Sequence, residues 1–137
     1  MSPGDDGLRQ RIDIIEEAYE FMLAYAAQGV SGDEEGGSGT EIREQLSRAE
    51  SALEGLVDLL RQAVQTKKLE PAARYRSFID VVEQDVQRSR AALQLVLAQR
   101  AISSQLVDNL NALIHLRALL TDLFLIDEVL KLQNADL

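Results

Sequence analysis

Apolar residues recur every three or four positions along most of this chain, and no stretch alternates with the two-residue period of a strand. Each such run predicts an amphipathic helix with one buried face. The first passes through Leu8, Ile12, Ile15, Tyr19, Met22 and Ala26, and is widened by Ile14, Ala18, Phe21 and Tyr25. Glu16, Glu17 and Glu20 lie opposite. Asp5 and Asp6 stand where an N-cap belongs, and the run stops at Gln28–Gly29. The second helix, Ile42, Leu46, Ala49, Leu53, Leu56, Leu60 and Ala63, alternates steps of four and three, the seam of coiled-coil packing. Gly55 falls on its outer face, where it weakens the helix by about 1 kcal/mol. The third opens after Pro71 and carries Tyr75, Phe78, Ile79, Val82, Val86, Leu93, Val96 and Leu97 on one face, with Ser89 at its centre.

The last helix, from about Ser103 to Gln133, is apolar on two sides. Its broad face holds Leu106, Leu113, Leu116, Leu119, Leu120, Leu123, Phe124 and Leu130, and its narrow face holds Val107, Ile114, Ala118, Leu125 and Val129. Two polar stripes separate them: Asp108–Asn111–His115–Asp122 and Arg117–Thr121–Glu128. A helix with two apolar faces is shielded twice, here by its own chain and by a copy. The pattern therefore predicts an all-α antiparallel four-helix bundle, up-down-up-down, that forms a homodimer through Val107, Ile114, Ala118, Leu125 and Val129.

Between the first and second helices, Gly29–Thr40 holds five glycines and three acids, predicting a mobile acidic loop that ends in the capping-box spacing Ser38-Gly-Thr-Glu41. Lys67-Lys68 suit a helix C-terminus. The turn near Ser103-Ser104 has neither Gly nor Pro; a hairpin is expected there. A continuous rod from Pro71 to Gln133, about 90 Å at roughly 1.5 Å per residue, is the alternative.

Composition adds bounds. The 137 residues, 46% hydrophobic, predict a single domain over 1–137 with its own core. A net charge of −9 argues against a nucleic-acid partner, since phosphates need clustered Lys and Arg. With no Cys, disulfides and thiolate metal sites are impossible. No segment has the apolar length of a signal peptide or a membrane span, so a cytoplasmic protein without a membrane partner is expected.

Candidate chemistry is sparse. Arg11 and Asp127 point toward apolar faces and fall at the same end of the expected bundle as Arg74 and Arg76; a buried Asp127 needs a cationic partner. His115, the single histidine, falls level with Ser89 and Arg90 and is expected as a buried, hydrogen-bonded side chain. One histidine cannot build a di-iron bundle. His115-Leu-Arg-Ala-Leu119 also lacks the His-x-x-Lys-Gly pattern of phosphotransfer domains. Glu17-x-x-Glu20 and Glu41-x-x-Glu44 resemble one half of the magnesium site of all-α nucleotide pyrophosphohydrolases; the Glu-x-x-Asp half is missing. Leu8-Arg9 and Ile12-Asp13 resemble the opening helix of helical chorismate mutases, but the later arginine of that helix is absent. No nucleophile–base pair can be assembled and no cofactor or metal is expected.

The expected function is accordingly a non-catalytic interaction protein (assembly, chaperone-like or regulatory subunit) acting through helix surfaces on a copy of itself or another protein. The alternative is a small all-α enzyme, a magnesium-dependent nucleotide hydrolase or a mutase, or a small-ligand sensor with a charged pocket.

Overall fold

The computed structural model describes residues 3–32 and 38–135, with side chains described over 7–32 and 40–133. Among these residues every regular element is an α-helix and there is no strand. The helices are α1 (Pro3–Ala26), α2 (Ser38–Leu53), α3 (Leu56–Thr66), α4 (Ala72–Leu97), α5 (Ser104–Ala112) and α6 (His115–Ala135). The four expected helices are thus six, because the second and the last are each broken. At the boundaries, Asp5 and Asp6 lie inside α1 rather than capping it, and α2 takes in Ser38–Thr40. Residues 33–37, the centre of the expected mobile loop, lie outside the described residues.

The core is one apolar cluster to which all six helices contribute. Helix α1 packs against α2, α3, α5 and α6; α4 packs against the same four. Cross-links show that neighbours run antiparallel. Arg11 near the start of α1 reaches Ala52 and Glu54 at the end of α2, while Glu17 meets Arg48. Glu50 meets Arg90, and Arg61 meets Asp80 and Glu83. Tyr25 at the end of α1 donates to Ile102 just before α5, and Arg9 pairs with Asp127 on α6. The junction after α4 is therefore a hairpin and not a rod.

The break between α2 and α3 falls at Gly55, whose φ of +78° suits a residue without Cβ. Ending α2 there leaves carbonyl groups without helical donors. Arg11 meets that need: its Nη1 donates to Ala52 O at 2.8 Å and to Glu54 O at 2.6 Å. Arg43 does the same at the end of α4, donating to Leu97 O at 2.9 Å and Gln99 O at 2.8 Å. Ser103 caps α5 by accepting from Leu106 N, and the buried Ser104 ties that helix to the end of α1. Its hydroxyl donates to Tyr25 O, and Val30 and Ser104 exchange two further bonds. A Cβ on Gly32 would lie 2.8 Å from the Ile102 carbonyl, so glycine permits this close passage.

The break between α5 and α6 contains neither Gly nor Pro. Ile114 adopts φ +60°, a costly state for a β-branched residue, and is 60% exposed. The break resets the helical phase, so the expected narrow face does not exist as one surface. Val107 is fully buried, Ile114 sits in the break, and Ala118, Leu125 and Val129 share a side of α6. Leu113, expected in the broad buried face, is exposed for the same reason; Phe124, within α6 itself, is exposed because it lies at the edge of the face that buries Leu116, Leu119, Leu123 and Leu130.

Replacing Arg11 by Met keeps the apolar stem and removes both bonds to the α2 carbonyls. Charge-assisted bonds of this kind contribute about 1–3 kcal/mol. The variant should unfold several degrees below the wild type in a thermal melt followed by circular dichroism. An unchanged Tm would mean that water serves those carbonyls equally well.

Candidate functional site

Within the buried stripe of α4, Val82, Asp85, Val86 and Ser89 follow the helical spacing i, i+3, i+4, i+7, and all four are buried. An acid in such a stripe must meet something on the facing helix. It meets Asp122 of α6: the two carboxyl groups lie within hydrogen-bonding reach. Asp122 is half-buried, and its Oδ2 is enclosed without any donor. Ser89 Oγ, one turn further along α4, is likewise enclosed without a partner. Arg88 stands 3.9 Å from Asp85 at the solvent edge of the seam.

Two carboxylates can only accept hydrogen bonds, so the contact becomes a bond only when one of them carries a proton. Burial disfavours the charged form of Asp122. The Asp85 carboxyl also bonds to its protonated form, and the Asp85 charge repels a second charge. These causes push the Asp122 pKa from 3.8 up to about 7. Elsewhere, Glu50 is held below its usual range, first by the hydrogen bond from Gln94 and then by that from Arg90. The facing of Asp85 and Asp122 across α4 and α6 favours the protonated form of Asp122. Among the described residues no group of three or more His, Asp or Glu side chains is arranged to hold a metal ion.

The residues singled out from sequence are distributed as follows. Arg11 serves the end of α2. Asp127 is bound by Arg9 at 2.9 Å and by Lys131 at 3.3 Å, whereas Arg11 points elsewhere and Arg74 and Arg76 are exposed. Arg90 is turned toward α2, where its Nε donates to Glu50 at 2.8 Å. Ser89 is buried, and neither it nor Arg90 hydrogen-bonds to His115, the half-buried first residue of α6. The structure therefore does not assemble Ser89, Arg90 and His115 into one site. Glu17, Glu20, Glu41 and Glu44 are all exposed. Sequence reasoning places Asp122 on a polar stripe but passes over Asp85, whose signal is an acid three residues after Val82 in a stripe whose only other polar member is Ser89.

Beside the acid pair, α4 and α6 enclose a shallow groove of about 330 Å³, lined by Pro71, Arg74, Tyr75, Phe78, Leu125, Ile126 and Val129. Two further grooves, of about 340 and 540 Å³, open beside α2. None of the three includes Ser89, Arg90 or His115. Among the described residues no helix is long and apolar enough to cross a membrane. No protein-family model, curated protein or solved structure matches the chain.

The raised Asp122 pKa fixes a sign. Between about pH 4 and pH 7 the folded chain holds a proton that the unfolded chain has released, so stability falls as pH rises through this window. Glu50, with its lowered pKa, acts in the opposite sense and below 4.5. Urea titrations at pH 5 and pH 8 should show the wild type less stable at pH 8. Asp122→Asn, which keeps a donor toward Asp85, should flatten that difference and stabilise the protein at pH 8. Identical pH dependence in the two proteins would show that Asp122 ionises freely.

Proposed function

We propose that this protein is a non-catalytic helical interaction protein that acts as a homodimer through the outer side of α6. Its six helices would form a four-rod antiparallel bundle, with α2–α3 and α5–α6 each serving as one bent rod. That arrangement is supported by α1 and α4, which each pack on both bent rods. One observation carries the functional reading. Of the eight large hydrophobic side chains exposed among the described residues, five (Leu113, Ile114, Phe124, Leu125 and Leu132) lie between positions 113 and 132. Single exposed apolar residues are ordinary on a protein surface; a concentration of them on one segment marks a place where something docks.

On α6 these side chains stand away from Leu119, Leu123, Ile126 and Leu130, which fill the core. The helix is therefore apolar on both sides even after its phase has been reset. The proposed face loses Val107 to the core, keeps Ala118, Leu125 and Val129, and gains Phe124 and Leu132. The enzyme and sensor alternatives both want a charged pocket around Arg90 and His115. Arg90 is already engaged by Glu50 on the other side of α4, which favours a surface mode of action over a pocket.

Sedimentation velocity on the full chain tests this reading. The wild type should show a concentration-dependent dimer, and Leu125→Glu should remain a folded monomer. Leu95→Glu, at a residue 67% exposed on α4, is the control that should leave the mass unchanged. A wild type that stays monomeric, or a Leu125→Glu variant that still dimerises, would refute the proposed face.

A further inference from the structure

The outer side of α6 carries a stripe with a base at one end and an acid at the other. Arg117, Thr121, Phe124 and Glu128 follow steps of four, three and four, and all are exposed. At roughly 100° per residue they fall within one narrow stripe of the helix. A twofold axis perpendicular to α6 at the midpoint of this series exchanges its ends, setting 117 against 128 and 121 against 124. Resting on the dimer reading above, we infer that the second copy docks antiparallel along this stripe, with Arg117 of each chain on the partner's Glu128.

Several features of the face fit that occupant. Arg117 and Glu128 form no ion pair within their own chain among the described residues, so both are available to a neighbour. The Thr121 hydroxyl is turned back onto Arg117 O at 2.9 Å, which leaves its methyl group to meet the partner's Phe124. Leu125, 54% exposed, lies on the flank shared with Ala118 and would settle between the partner's Ala118 and Thr121. A parallel pairing would instead set Arg117 on Arg117 and Glu128 on Glu128. The opposite charges at the two ends of the stripe make it complementary to an antiparallel copy of itself, which is the condition for an isologous contact.

A strip one helix wide buries less than the roughly 800 Å² per partner of a standard interface. The association should therefore be weak, and the charges act mainly by selecting the register. Charge reversal is then decisive. Arg117→Glu leaves two acids at the ends of the stripe and Glu128→Arg leaves two bases, so either variant repels its own copy. Mixed together, the two variants present only opposite charges to one another.

Sedimentation equilibrium of the full chain at low salt, with circular dichroism to confirm folding, reads the outcome. Each reversal alone should weaken dimerisation at least about tenfold, and an equimolar mixture should recover wild-type association. Raising NaCl to about 1 M should remove most of the difference between wild type and variants, because exposed charges are screened there. A wild type that is monomeric up to about 200 μM, well above a micromolar Kd, would refute the dimer itself. A wild-type dimer that neither reversal weakens, or reversed variants that mixing does not rescue, would overturn only the antiparallel pairing.

Discussion

A helix that stops inside a packed structure leaves its last carbonyl groups without donors, and this constraint shapes the whole molecule. The chain meets it with arginine. Arg11 reaches across from α1 to the end of α2, and Arg43 reaches across from α2 to the end of α4. Each bond does two things at once: it satisfies a carbonyl and fixes the height of one helix against the next. The break at Gly55 follows from this, since the chain turns there at positive φ under the Arg11 guanidinium. Ser104 performs the matching task at the opposite end of α1, where the backbone of Gly32 passes hard against that of Ile102.

With the ends held, the sides of the helices decide the rest. Most seams are apolar inside and carry ion pairs at the rim, as between Glu50 and Arg90 or Arg61 and Glu83. The seam between α4 and α6 differs. It encloses two acids and an unpartnered serine hydroxyl, and burial together with the Asp85 carboxyl pushes the Asp122 pKa up to about 7. Beyond that seam the surface turns apolar, through the groove at Phe78 and Leu125 to the outer side of α6. The proposed dimer would cover this surface without disturbing the acid pair. Stability against pH and the proposed self-association would therefore belong to neighbouring but separate regions.

Legibility from sequence followed the range of the interaction. The stripes of α1 and α4 could be read directly: Leu8, Ile12, Ile15 and Met22, and Tyr75, Ile79, Val82 and Leu93, are all buried. Gly55 was visible as an anomaly, but the expected helix ran through it, since one glycine only weakens a helix and Arg11 lies more than forty residues away. Nothing local marks the break at Leu113–Ile114, where the residues are good apolar helix positions and the backbone is bent by where α5 and α6 pack. That single break misplaced Val107 and Leu113 together, while Phe124 falls at the edge of the buried face of α6. The acid pair was half visible, through Asp122; its other half needed the facing surface of α4.

What the sequence determined by itself was the class of structure and the material of its surfaces. A period near 3.6 makes helices wherever apolar residues keep it, and within α6 apolar residues still lie on both sides, although the break before it removes Val107 and Ile114 from the narrow one. Only the tertiary structure decided where helices break, which arginine reaches which carbonyl, and which acids face each other. These depend on contacts between residues far apart in the chain, and a periodicity carries no information about the neighbour that a face will meet.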